Sequence, residues 1–155
     1  GHDDWIVRSE DNGQGWKEVS FNQDSDQSAP LFGVAGTRFV SLQKTDGLDQ
    51  VKAAPFAADM IVPGDALGDF YETAAAILAL DLVISSCTAT LHLAATLGVP
   101  VFGMLKYHAD WRWLNETADT PWYPSLTLFR QKTVFDWQSV VEPIREALEK
   151  RVARR

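Results

Sequence analysis

A single cysteine, Cys87, in 155 residues leaves nothing with which to form an intrachain disulfide. Such usage fits a reducing compartment and predicts a cytoplasmic address. Histidine is scarce as well: His2, His92 and His108 stand at unrelated spacings and make no metal-ligand set with the lone thiol. No apolar run approaches the roughly 20 residues of a membrane span, and the polar amino terminus lacks the apolar core of a signal peptide. Basic residues are in the minority, 14 against 21 acidic, and the net charge of −7 disfavours a nucleic-acid backbone as main partner. The basic ending KRVARR reads as a solvated helix terminus whose cations complement the helix dipole. Neither a GK[ST] phosphate loop nor a GxGxxG fingerprint occurs, which weighs against triphosphate hydrolysis and nicotinamide chemistry. No internal repeat is visible.

What remains is a chain of ordinary globular composition, 46% hydrophobic and 23% charged, long enough for one core. Residues 1–35 are poorly patterned, rich in Asp, Asn, Gln, Ser and Gly, and predict only a short strand near Trp5–Arg8 before irregular structure. Gly1 and His2 look like a remnant of recombinant expression. From residue 36 to 155 strand and helix alternate. Arg38–Leu42 and the short run Asp59–Val62 are strand-like, the latter stopped by Pro63-Gly64. Asp69 is placed to cap a helix over Phe70–Ala79, with Phe70, Ala74, Ile77 and Leu78 on one face. The continuous apolar run Leu82-Val83-Ile84 suits a central strand covered on both sides. A helix over Ala89–Leu97 follows, ended by Gly98. Val101–Leu105 and Leu126–Phe129 are further strands, and Asp136 caps a closing helix to about Val152 that Pro143 would kink or split. This alternation predicts an α/β three-layer fold with a parallel sheet.

The chemistry concentrates in LDLVISSCTATLHLAATLGVP, from Leu80 to Pro100. In parallel α/β sheets ligands sit beyond the carboxyl ends of the strands, where the next helices point their amino termini. Ser85 to Ala89 lie at such a junction, and helix amides, a partial positive charge and flanking hydroxyls suit a phosphate or carboxylate. His92, four residues after Thr88, shares its helix face and could reach a phosphate or ribose oxygen. Each feature also has a plain structural reading. The serines can satisfy backbone groups at a strand end, and a lone helical histidine is more often a structural hydrogen-bonding residue. A Cys87 nucleophile paired with His92 is conceivable at a helix start, but no third orienting group is evident. The stretch Tyr107–Trp113 is either a lid or stacking wall, or the packing of a long loop.

Several motifs in order carry a resemblance: RFVSLQK (Arg38–Lys44), GDFYETAAAILALDLVISSCTATLHLAATLGVPVF (Gly68–Phe102), DWRW (Asp110–Trp113), SLTLFRQ (Ser125–Gln131) and FDW (Phe135–Trp137). Together they resemble the carboxy-terminal, donor-binding domain of bacterial tetratricopeptide-repeat proteins with a heptosyltransferase-like domain of the glycosyltransferase family 9 type, more distantly similar to O-GlcNAc transferases. The resemblance implies one half of a GT-B fold, Rossmann-like over residues 36–155, holding a nucleotide-diphosphate sugar as substrate with no metal or other cofactor. On that resemblance the turn Ser86-Cys87-Thr88-Ala89 with His92 grips the donor diphosphate, Gln43 and Lys44 flank the cleft, Asp69-Phe70 lie near the nucleoside, and Trp111-Arg112 approach from the long loop. Arg112 or Lys44 would offset charge on the leaving diphosphate. The expected partners are the nucleotide sugar and an acceptor domain or helical-repeat region preceding residue 1. Many relatives have Asp-Thr where this chain has Cys87-Thr88, so any role of that carboxylate is absent here, and no catalytic residue is assigned. The competing expectation is a non-catalytic small-ligand or protein-interaction module on the same fold, using the aromatics of residues 107–123; a homodimer covering the Ser86–His92 turn would favour it.

Overall fold

A computed structural model of the protein describes residues 4–8, 19–22, 28–31, 37–43, 60–63, 66–115 and 117–154. In chain order the elements are β1 (Asp4–Arg8), β2 (Val19–Asn22), β3 (Ser28–Leu31), β4 (Arg38–Ser41), α1 (Phe70–Leu78), β5 (Leu82–Ser86), α2 (Ala89–Thr96), β6 (Val101–Leu105), a 3₁₀ turn (Trp111–Trp113), β7 (Leu126–Arg130) and α3 (Gln138–Val152). The five-stranded sheet has the order β4–β1–β5–β6–β7, and β2 pairs with β3 in a separate two-stranded sheet. β2 and β3 pair in a stretch where irregular structure is expected, while the patterned strands and helices fall where the sequence places them, apart from Asp59–Val62. There Ile61 makes only an isolated parallel bridge to Val40, and Asp59 lies outside the described residues.

The sheet is not wholly parallel, contrary to expectation. β5, β6 and β7 pair in parallel, Val83 with Val101 and Val101 with Leu126. β1, however, runs antiparallel to both its neighbours, with Trp5 opposite Ser41 on one side and Ile84 on the other. Periodicity announces that a strand exists without naming its partners, and an antiparallel strand needs no crossover helix to announce it. Because β4 and β5 both oppose β1, they point the same way. The carboxyl ends of β4, β5, β6 and β7 therefore share one edge.

Alternation along the strands builds three layers. Val83, Val101, Leu105, Leu126 and Leu128 face α1 and α2, packing with Ile77, Leu91, Ala94 and Ala95. Leu82, Ile84 and Met104 face α3, packing with Val140, Ile144 and Leu148. Every residue of β5 is buried, as its unbroken apolar run requires. Gly103 sets how closely α2 approaches: a Cβ there would stand 3.1 Å from Leu91 Cδ1 and 3.0 Å from Leu126 Cδ1.

Both ends of α2 follow from local chemistry. Gly98, at φ 75°, donates to Ala95 O while Val99 donates to Ala94 O, the paired bonds of a Schellman closure. At the other end Thr88 holds the N-cap position but makes no side-chain cap bond. α3 runs unbroken through Pro143, which sits exposed in its second turn, so the expected break does not occur. Asp136 still serves that helix start, its Oδ1 accepting from Ser139 N at 3.1 Å. In α1 the expected face is only partly right: Thr73 and Ile77 are buried, whereas Phe70 is 67% and Leu78 60% exposed. The spacing is helical, but the stripe in contact with the sheet is narrower and rotated towards Thr73.

Candidate functional site

The shared carboxyl edge ends in buried polar side chains. Ser41, Ser85, Ser86 and Gln131 are all buried there. Ser41 Oγ accepts from Gln43 N at 3.2 Å, and Gln131 Oε1 accepts from Tyr107 N at 3.0 Å. Ser85 Oγ donates to Ser86 O at 2.8 Å and lies 3.1 Å from Thr88 Oγ1. These bonds satisfy groups that would be costly to bury unpaired, so the structural reading accounts for the Ser85 hydroxyl, while Ser86 takes part through its backbone carbonyl. Cys87 and Ala89, by contrast, are exposed, and Thr88 is half-buried.

The geometry around α2 places several candidates together. Ser86 O also accepts from Thr88 N at 2.7 Å, a tight turn that delivers the chain into the helix. With the Thr88 hydroxyl turned to Ser85, the first amides of α2 have no side-chain cap, and the first turn carries no acidic residue. Such a start keeps its partial positive charge. His92 follows one turn later, half-buried, with Nδ1 2.9 Å from Tyr123 Oη. Its ring stacks on Trp113 at 5.3 Å between centroids and meets Tyr123 edge-on at 5.6 Å. Burial lowers the His92 pKa below its ordinary value; Arg112 lowers it further and Asp110 opposes.

The long segment between β6 and β7 supplies the roof. Asp110 opens the 3₁₀ turn, its Oδ1 accepting from Arg112 N at 3.0 Å and its Oδ2 from the Arg112 guanidinium at 3.2 Å. Trp113 is fully buried, and its Nε1 donates to Cys87 Sγ at 3.1 Å. Leu114 closes the turn at φ 53°, and Arg130 from β7 donates to the carbonyls of Trp113 and Leu114 at 3.1 and 2.8 Å. Burial lowers the pKa of Arg130, which remains a cation at neutral pH. Trp111 points the other way, 73% exposed, with the Arg112 guanidinium 5.8 Å from its ring centroid. Trp122 is also exposed, its Nε1 held by Arg112 O at 3.1 Å.

Of the sequence-predicted residues, then, Cys87, Thr88, Ala89 and His92 gather at the start of α2, with Arg112 close enough to act on the histidine. Gln43 stands two residues past the end of β4, on the same edge as Ser86: Ser41 and Ile84 both pair with Trp5. Gln43 is buried, however, and Lys44 lies outside the described residues. Asp69 is occupied as the cap of α1, its Oδ1 accepting from Glu72 N at 2.9 Å, and Phe70 beside it is open to solvent. Cys87 and His92 are engaged by different partners, Trp113 and Tyr123, rather than by each other. Sequence reasoning did not single out Tyr123, Arg130 or Gln131. The signal for Tyr123 and Trp113 was their aromatic character in a segment too long for a plain connection; nothing in spacing points to Arg130.

Among the described residues no helix is long and apolar enough to cross a membrane, and no group of three or more His, Cys, Asp or Glu is arranged to hold a metal ion. The chain is 29% identical over 144 residues to Protein FlbA of Caulobacter vibrioides, a match covering 86% of this chain and 24% of that protein. It thus spans about a quarter of the length of the curated relative it matches. No protein-family model and no solved structure matches the chain.

Proposed function

We propose that the chain is a glycosyltransferase-like donor domain that binds a nucleotide-diphosphate sugar, with the diphosphate at the start of α2. The observation that carries this reading is the amino terminus of α2, without a side-chain cap and with no acidic residue in its first turn, on the carboxyl edge of parallel strands, with the His92 imidazole one turn on and the Arg112 guanidinium, paired with Asp110, near enough to act on it. Helix amides and a nearby cation are what a diphosphate requires. The ordered motifs that resemble family 9 glycosyltransferases lend the sugar nucleotide its place in the reading. Transfer would proceed by direct displacement at the anomeric carbon, the diphosphate leaving with the bond electrons and the acceptor losing a proton to a base supplied from outside this domain. Arg112 would stabilise the departing charge electrostatically. Isothermal titration with UDP-, ADP- and GDP-sugars tests the reading. Binding of one class at millimolar concentration or tighter is expected, and silence with all three overturns it.

A second reading, a protein-interaction module, is favoured by the aromatic surface beside the site. Trp111, Trp122, Tyr107 and Leu114 are 73, 56, 46 and 49% exposed. Exposed tryptophan and tyrosine with an arginine among them is a composition typical of contact surfaces. A stable dimer in solution that Trp111→Ser and Trp122→Ser dissolve would support it.

A further inference from the structure

His92 is held in a way that the binding of a diphosphate alone does not require. Its ring lies against the indole of Trp113, interplanar angle 24°, and at 63° to the Tyr123 ring, so two aromatic walls fix its plane. Rotation about the ring axis is then decided by one hydrogen bond, Nδ1 to Tyr123 Oη at 2.9 Å. Tyr123 is itself anchored, since its carbonyl accepts from Leu126 N at 3.1 Å where β7 begins. A neutral imidazole has one N–H and one bare nitrogen. A phenol is a good donor and a poor acceptor, whereas a bare imidazole nitrogen is a strong acceptor. This favours a bond in which Tyr123 O–H donates to Nδ1, although the geometry alone allows either atom to donate. In that arrangement the ring proton is on Nε2, for which no hydrogen bond is found among the described residues.

We propose that Tyr123 is a positioning residue that holds His92 as its Nε2–H tautomer, so that the ring presents one fixed N–H donor to an acceptor oxygen of the bound ligand. The identity of that oxygen as a phosphate oxygen rests on the donor-domain reading; the tautomer does not. A hydroxyl on residue 123 sets which nitrogen is free, much as a carbonyl or carboxylate sets the orientation of other working histidines.

The tautomer is read directly from the ring ¹⁵N shifts of His92 in the full chain at pH 8. A bare Nδ1 and a protonated Nε2 are expected as a single form, and a protonated Nδ1 overturns the proposal without any variant being made. Tyr123→Phe keeps the ring and removes the hydroxyl, and its spectrum should move towards a mixture of tautomers; an unchanged tautomer in a folded variant also overturns the proposal. Titration with inorganic pyrophosphate supplies the functional arm. Tyr123→Phe should weaken binding about three- to tenfold when residue 92 is histidine. It should have no effect in a His92→Gln background, where the amide carries its own N–H at the Nε2 position. Equal weakening in both backgrounds indicates a merely structural tyrosine and counts against the proposal. Absence of pyrophosphate binding in the unaltered chain sinks the donor reading, while the ring shifts still decide the tautomer.

Discussion

The starts of α1 and α2 lie on the same face of the sheet, yet they are finished in opposite ways. At α1, Asp69 accepts from Glu72 N, the Glu72 carboxylate accepts in turn from Gly68 N, and Thr73 Oγ1 donates to Asp69 O at 2.7 Å. Two carboxylates close that end and would repel an anion. The first turn of α2 carries no carboxylate, and the hydroxyl of its N-cap residue Thr88 is turned to Ser85. The same helix closes its other end fully through Gly98, so the local sequence is capable of capping. An unfinished helix start beside a finished one locates where an anion can be received. Above it stands the roof of Trp113, His92 and Tyr123, for which α1 has no counterpart among the described residues.

The largest test removes that roof. Trp113 is fully buried among Leu91, Leu126 and their neighbours, so Trp113→Ala should cost about 3–5 kcal/mol of stability. Trp111→Ala, two residues away and exposed, should stay within about 0.5 kcal/mol. Urea midpoints of the two variants measure the contrast, and similar losses would show that the 3₁₀ turn does not divide its tryptophans between core and surface.

A smaller effect comes from giving one helix start the other's chemistry. Thr88→Asp supplies α2 with the carboxylate cap that α1 owns. Pyrophosphate affinity should fall at least tenfold, about 1.4 kcal/mol, while thermal stability holds or rises. The converse change, Asp69→Ala, should cost α1 about 1 kcal/mol. Unchanged pyrophosphate affinity in Thr88→Asp would mean that the open start of α2 receives no anion.

The contrast between the helix starts was half legible in the sequence. Asp69 before Phe70-Tyr71-Glu72 spells a cap, and Leu82-Val83-Ile84 followed by small polar residues spells a strand leading into a turn, so these elements could be placed from residue type and period. What Thr88 does could not be read, because whether its hydroxyl turns to the helix or to Ser85 depends on the buried neighbour. The exposed Phe70 was misplaced for a related reason: helical spacing groups residues on a face without saying which face meets the sheet. The insertion of β1 between β4 and β5, and the reach of Arg130 to Trp113 O, join residues far apart in sequence and leave no local trace. His92 was visible as a candidate, but its clamp between Trp113 and Tyr123 was not, since aromatic residues in a long segment carry no period to say where they return.

The smallest effect distinguishes the two helix starts by pH. Desolvation, with Arg112 adding to it, holds the folded-state pKa of His92 below the ordinary value near 6.5, and Asp110 only partly opposes this. As pH falls through about 6.5 the unfolded chain takes up a proton that the folded chain refuses, so unfolding gains ground. The penalty grows until the folded-state pKa is passed and is constant below it; above about 6.5 it is absent. Comparing urea midpoints at pH 7.5 and 5.5 in the unaltered chain and in His92→Gln measures this contribution. The unaltered chain should lose more stability on acidification than the variant. Equal losses would mean that the imidazole under Trp113 is as free to take a proton as one in water, and the roof over α2 would then be open rather than closed.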